Sequence, residues 1–278
     1  MLGFEFNGVH SSRFGLVTRS KNRPILPEPK TVTEEALCRD GVYDFSAANP
    51  YGRVMYKTRE ITVDCNFIST GMPDTRRRAR AIAAWLGCGE ARLVFDDERA
   101  VYYMARVSNR IDLQQQISKI GFFTVVFTCR PFAYGAVASG ELPVYGAGLC
   151  YGDGIRYGGF NRFYADNAGI SPCFGGDARE FNAENFGTMY AKPHIVLEGA
   201  FHNVRIGMAD GRYLRYPRSA AGTLVFDCER LHTVLNGENV TNLTEGAFFE
   251  LAPGDNVMRI SADDIDCAVN FAFRFLYL

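Results

Sequence analysis

The chain lacks the patterns that most enzymatic chemistries require. Its 278 residues hold no H-E-x-x-H, no G-x-S-x-G elbow and no P-loop, so zincin, serine-hydrolase and P-loop chemistry have no local support. Its four histidines, His10, His194, His202 and His232, adjoin no cysteine knuckle. His194 and His202 flank a strand-turn-strand pattern, where ordinary hydrogen bonds satisfy an imidazole. Acidic residues are plentiful, but nothing marks a glycosidase pair among them. Tryptophan occurs once, as Trp85. Neither sign of charge is in excess, with 30 Lys+Arg against 31 Asp+Glu and a net charge of -1, so no general attraction to nucleic acid or membrane is expected. No basic start with an apolar centre opens the chain, and no stretch reaches the ~20 apolar residues of a membrane helix. The expectation is a soluble chain, not exported by a standard signal. The acceptor patterns at Asn239-Val240-Thr241 and Asn242-Leu243-Thr244 then read as accidental.

Close cysteine pairs are also missing. The eight cysteines fall at 38, 65, 88, 129, 150, 173, 228 and 267, without the short knuckles of a zinc site. Cys65 and Cys129 sit on the apolar face of predicted strands, where a thiol behaves as a small hydrophobe. The reading is free, buried thiols in a protein made in a reducing cytoplasm.

What the sequence has is sheet. Phe and Tyr number 22 and 14, and such aromatic-rich, helix-poor chains build sheets. Glu60–Phe67 alternates polar and apolar throughout, as a half-buried strand does. Gly121–Arg130 forms another, and Val269, Phe271, Phe273, Phe275 and Tyr277 share one face of the last. Ile195 and Leu197, then Val204, Ile206 and Met208, then Leu224, Phe226 and Cys228 carry the same alternation. Asn236-Gly237 is a hairpin turn, and Pro253-Gly254-Asp255-Asn256 is a further turn. One helix is predicted: Pro73 suits its first turn, Asp74 favours the positive end of its dipole, Ala79, Ile82, Ala83 and Leu86 form its apolar face, and Gly87 stops it. Arg76, Arg77 and Arg80, with Arg78 adjoining, form a polar face that is either solvated or set against an acidic partner. Leu93–Phe95 and Val101–Met104 flank the charged tip Asp96-Asp97-Glu98-Arg99; calcium would need further oxygen ligands at loop spacing, which are absent.

Between 136 and 190 the character changes. Tyr-Gly recurs at 145, 151 and 157, too few copies for a solenoid, and Gly146, Gly148 and Gly152 do not make a dinucleotide loop. The segment reads as an extended arm or interdomain element. The length suits two domains of ordinary size, 1–135 and 136–278. The fold class expected is mainly β, an N-terminal sandwich-like domain with one helix and a C-terminal antiparallel sandwich.

The N-terminal block is the most distinctive stretch. Phe4-Glu5-Phe6-Asn7-Gly8 and Phe14-Gly15-Leu16 precede an arm stiffened by Pro24 and Pro27, then Arg39-Asp40-Gly41-Val42-Tyr43-Asp44-Phe45. With the Ile61–Phe67 strand, a helix ending in Trp85-Leu86, Leu93–Asp97 and Val125–Pro131, this order resembles the N-terminal domain of the distal tail (Dit) proteins of long-tailed bacteriophages. Asn185–Thr188, Pro193–Ile195, Asn236-Gly237 and Leu251–Asn256, including Pro253, Gly254 and Asn256, resemble that family's galectin-like or carbohydrate-binding-module-like C-terminal sandwich. The Tyr-Gly hexads are outside the family pattern.

The resemblance implies a virion structural protein at the distal end of a long non-contractile tail. It implies a homo-hexameric ring of N-terminal domains that joins the major tail tube protein to the tail-associated lysin or tail-tip hub protein, with the tape measure protein a further neighbour and DNA passing through. It implies no enzyme activity and no cofactor, and no specific nucleic-acid or membrane partner. The alternative is a carbohydrate-binding adhesion module. The two coexist if the C-terminal domain binds a host glycan.

Overall fold

The computed structural model describes residues 3–35, 37–38, 40–112, 114–117, 120–139, 162–166, 169–172 and 180–278. The Tyr-Gly hexads, Arg39, Cys150 and Cys173 lie outside them. The chain is mainly β, its principal ladders antiparallel, and divides into two compact units, Met1–Tyr134 with Leu278, and Gly135–Tyr277.

The first unit contains β1 (Phe4–Phe6), β2 (Val9–His10), β3 (Val17–Asn22), β4 (Thr33–Glu35), β5 (Val42–Asp44), β6 (Arg59–Ile68), α1 (Met72–Leu86), β7 (Ala91–Phe95), β8 (Val101–Val107), β9 (Gln114–Ile117) and β10 (Ile120–Cys129). Its main sheet runs β2-β1-β7-β8-β10-β6-β3. β6 and β10 pair over their full length, from Ile68↔Ile120 to Arg59↔Cys129. Their alternation puts Ile61, Val63, Cys65 and Phe67 on the same buried face as Phe123, Val125 and Phe127, the period-two pattern of a strand with one dry side.

That face is closed by α1 and the N-terminal strand. Gly71 precedes the helix without a side-chain cap; Asp74 instead takes the amide N–H of Thr70 at 3.2 Å. The predicted start and stop at Pro73 and Gly87 hold, but the buried stripe is Thr75, Ile82, Trp85 and Leu86, and Ala83 is exposed. Burial of the large indole rotates the helix toward Trp85. The indole stacks on Phe4 and Phe14 at 5.6 and 4.7 Å between centroids, and its Nε1–H donates to the Phe6 carbonyl at 2.8 Å.

The second unit contains β11 (Ala133–Ala138), which begins at the boundary, β12 (Arg162–Asp166), β13 (Gly169–Pro172), β14 (Glu180–Asn182), β15 (His194–Met208), β16 (Tyr213–Asp227), β17 (His232–Leu235), β18 (Glu238–Asn239), β19 (Glu245–Gly246), β20 (Val257–Ser261), β21 (Asp264–Ala272) and β22 (Arg274–Tyr277). Its spine is the β15–β16 hairpin. The first part of β15 pairs with β21 (His194↔Ala272 to His202↔Asp264), and the last part with β20 (Arg205↔Ser261 to Met208↔Met258).

The strand-turn-strand expected around 195–208 is therefore a single strand. At its middle the register with β16 slips by one residue, between His202↔Ser219 and Val204↔Tyr216. Asn203 there has φ 54, and the extra residue lies on β16 beside Pro217, whose missing N–H a bulge tolerates. Ile195, Leu197 and Phe201 are buried before the slip, Val204 and Ile206 after it. The inward parity of β15 changes from odd to even, which from sequence looks like two strands. The last strand is likewise divided. Val269 and Phe271 are buried in β21, whereas Phe275 and Tyr277 are half-buried in β22, which pairs with β11. Ser139 marks the change, donating from its amide to Phe273 O at 2.8 Å and from its hydroxyl to Phe271 O.

Of the six described cysteines, Cys65, Cys129, Cys228 and Cys267 are buried, whereas Cys38 and Cys88 are exposed, so the uniformly buried set expected from sequence is not found. Burial pushes each of the four buried thiols up to about 12, so these are inert at neutral pH. Iodoacetamide labelling read by mass spectrometry should modify Cys38 and Cys88 in the native protein and leave Cys65, Cys129, Cys228 and Cys267 untouched until denaturant is added. Trp85→Phe, which removes the bond to Phe6 O, should cost about 1–2 kcal/mol, and Trp85→Ala about 3–5 kcal/mol, both measured by denaturant unfolding followed by circular dichroism.

Candidate assembly surfaces

The N-terminal motif residues act through backbone geometry. Asn7 and Gly8, at φ 51 and 73, make a two-residue turn between β1 and β2, with both central residues left-handed as a type I′ turn requires. Phe4 and Phe6 face the core, and β1 pairs in register with β7 from Phe4↔Phe95 to Phe6↔Leu93. Gly15, at φ 64, ends the short helical turn after His10 and returns its N–H to Ser11 O and Ser12 O. Leu16 is buried and Phe14 half-buried on Trp85.

The acidic tip binds this block. Asp96 accepts from Gly3 N at 2.7 Å, His10 Nε2 at 3.1 Å and Arg99 Nη2 at 3.1 Å. His10 Nδ1 accepts from Ser12 N at 3.2 Å, which leaves the proton on Nε2, pointing at the carboxylate. A Cβ on Gly3 would lie 2.7 Å from the His10 ring, so only glycine permits this approach. Arg23 closes the tip from the other side, bonding both Asp97 oxygens and Glu98 while its guanidinium lies 4.5 Å over Phe95. The three acids are thus joined to the first strands and to the root of the arm. Among the described residues no His, Cys, Asp or Glu group could hold a metal. Arg59, almost wholly buried, lies 5.5 Å from the Tyr103 ring, and its Nε and Nη2 have no hydrogen-bond partner among the described residues. The ring's negative face offsets part of the cost of burying that cation.

Beyond Arg23 the chain leaves the core. Pro24 is half-buried and Pro27 buried, but β4 and β5 are exposed on both faces. The arm is ordered by its own bonds: Lys30 N to Met55 O, Lys57 N to Glu28 O, Phe45 N to Val32 O, and Val32 N to the buried Ser46 hydroxyl. Asp44 takes the Ser46 amide at 2.8 Å, and the Ser46 side-chain and backbone bonds hold its carboxyl below the usual range. Gly41, at φ 84, and Asp40 occupy the exposed turn before β5. Its large apolar side chains stay in water: Ile25 is 90% exposed, Leu37 fully, and Val42, Tyr43 and Phe45 about half. Tyr43 in β5 and Phe45 just past its end stack at 6.2 Å. A cluster of exposed apolar side chains like this one marks an interaction surface.

The helix arginines divide. Arg77 and Arg78 bond Asp74 at 2.9 and 3.0 Å, while Arg76 and Arg80 are exposed. In the second unit, Pro253, Gly254 and Asn256 belong to a polar clasp. Asn256 Oδ1 accepts from Ala252 N at 2.8 Å, and its Nδ2 donates to Ala183 O, Ala252 O and Gly254 O. Asn185 does the same work opposite, donating to Met189 O and Leu251 O and accepting from Gly187 N.

The outward face of β20, β15 and β16 is a further surface, which no sequence pattern marked because its residues come from three strands. It lines two cavities of about 270 and 550 Å3 that share Arg205 and Ser261. At their edge His202 Nδ1 meets the Ser219 hydroxyl at 2.7 Å, and its Nε2 lies 3.6 Å from Asp263.

Burial raises the Asp96 carboxyl, but the bonds from Gly3, His10 and Arg99 outweigh it and leave its pKa below the ordinary value of 3.8. A depressed carboxylate stabilises the fold above its unfolded pKa of about 3.9 and loses that contribution as pH falls through the folded value. Asp96→Asn should therefore unfold about 1–2 kcal/mol more easily at pH 7, and this gap from wild type should narrow at about pH 3 and below, as Trp85 fluorescence in denaturant would record.

Comparison with known proteins agrees with this architecture. The model for the phage tail protein RIFT-related domain matches residues 11–129, and that for the C-terminal domain of the Siphovirus-type tail component matches 187–275. Curated protein sequences give no match. The crystal structure of the Dit protein (gp 19.1) of phage SPP1, described as a hub adsorption apparatus of phages infecting Gram-positive bacteria, superposes with a TM-score of 0.68, at 14% identity and over 100% of both chains. The two matched segments fall on β3–β10 of the first unit and on the β15–β22 sandwich in turn, and the chain belongs to the distal tail (Dit) family of siphophage structural tail proteins.

Proposed function

We propose that six copies of this chain close into a ring at the distal end of the tail, the first unit forming the ring and the second decorating it. The ring joins the major tail tube protein to the tail-associated lysin or tail-tip hub protein, lies next to the tape measure protein, and lets DNA pass at infection. The chain is made in the host cytoplasm and works without catalysis. The observation that carries this reading is the arm. A closed ring needs a heterologous contact, one surface meeting a different surface of its neighbour. The arm offers an ordered backbone and uncovered apolar side chains at Leu37, Val42, Tyr43 and Phe45, and burying them on a neighbour would stabilise the ring by about 25 cal/mol per Å2.

A lumen that passes duplex must not bind phosphate. Arg76, Arg77, Arg78 and Arg80 therefore face away from the channel, and a ring map with those guanidiniums in the lumen would contradict this.

Light scattering with negative-stain imaging tests the assembly. The purified chain should form six-fold rings of about 186 kDa, six chains of 31.0 kDa. A chain that stays monomeric even with the tail tube protein added would refute the ring. The triple variant Leu37→Asp, Tyr43→Asp, Phe45→Asp should remain monomeric while unfolding within about 0.5 kcal/mol of wild type, since it alters only exposed positions. Rings from that variant would remove the arm from the interface.

A further inference from the structure

We infer that the outward face of the β20–β15–β16 sheet binds an acidic saccharide, a hydroxylated ring or polyol bearing a carboxylate or phosphate, with Arg205 as the anion-binding residue. The inference does not depend on ring formation.

Cross-strand pairing builds the site. One row runs Ser261↔Arg205↔Arg215↔Glu245, and the next Arg259↔Gly207↔Tyr213. The row thus sets two arginines directly opposite each other, an arrangement that destabilises a sheet unless something separates or neutralises the charges. Three arginines of the face are already matched. Arg215 bonds Glu245 at 2.9 Å and Asn203 Oδ1 at 2.7 Å, Arg212 bonds Asp210, and Arg259 bonds Glu180. Arg205 has no acidic partner among the described residues, although both cavities open onto it. The carboxylate in its cavity, Asp263, already accepts from Asn203 Nδ2 at 2.8 Å and sits 3.6 Å from His202 Nε2. The Arg205 guanidinium lies over the Tyr213 ring, 4.0 Å from its centroid, which holds its position before any ligand arrives.

The rest of the lining indicates what surrounds the anion. Ser261 offers a hydroxyl, and Asn203 and Asp263, bonded to each other, keep a second amide N–H and further carboxylate lone pairs, a mixed set of donors and acceptors that suits a ring of hydroxyl groups. Gly207 has no side chain to fill the larger cavity, whose volume of about 550 Å3 is within the range of small-ligand sites. Among the described residues the one aromatic ring lining these cavities, Tyr213, is covered by the guanidinium, so a sugar cannot stack on that face. Recognition therefore rests on charge and hydrogen bonds, which favours an acidic sugar over its neutral counterpart.

Calorimetric titration of the full chain at low salt with glycerol phosphate, glucuronate, glucose and inorganic phosphate tests the inference. Glycerol phosphate or glucuronate should bind saturably and at least about tenfold more tightly than glucose, in keeping with a charge-assisted bond. The binding should weaken with added salt. Arg205→Ala should lose about tenfold or more in affinity without a lower melting temperature, because it also relieves the repulsion with Arg215. Arg230→Ala, an exposed change beyond the end of β16, should bind as wild type. No saturable binding of either acidic compound, or equal binding by Arg205→Ala, would overturn the site. Inorganic phosphate binding as tightly as both organic anions would overturn the saccharide assignment.

Discussion

Both units are held by one constraint: a strand buries every second residue, so each ladder must keep its apolar row on one face. β6 and β10 meet it over ten residues each, and the row they present is what α1, β1 and Trp85 cover. In the second unit the same rule governs β15, β16 and β21, whose inward rows make up most of the core. Where the alternation fails, the surface becomes unusual. It fails at Asn203, where the slip changes parity and the outward arginines of β15 and β16 come to lie opposite each other. It fails in the arm, where β4 and β5 have no dry face at all.

The N-terminal block joins these features to assembly. Asp96 collects Gly3, His10 and Arg99, and Arg23 ties Asp97 and Glu98 to the point where the arm departs. An arm that starts from a fixed point loses less entropy on docking than a free tether. Phe4, Phe6 and Phe14 contribute to the core instead. This is the division expected of a tail structural protein.

Much of this was legible in the sequence, for a physical reason. Asn7-Gly8 and Asn236-Gly237 are turns because only such residues adopt left-handed backbone cheaply, and local preference is written locally. The β6 and β10 alternation and the ends of α1 at Pro73 and Gly87 were plain on the same ground. The parity change at Asn203 was not, because a one-residue slip against β16 depends on a partner strand and has no local mark. Ala83 was misplaced because helical spacing alone cannot tell which side of a stripe a distant indole will choose. Asp96 read only as part of a charged hairpin tip, since its partners Gly3 and His10 are more than eighty residues away in sequence. The arginines of the β15–β16 face escaped for the same reason.

A cryo-electron-microscopy map of the intact tail tests the central claim most directly. The account predicts six copies of this chain in a closed ring at the distal end of the tube, each arm seated on its neighbour and the Leu37, Tyr43 and Phe45 side chains buried there. A map with the chain elsewhere in the virion, or with the arms still in solvent, would contradict it.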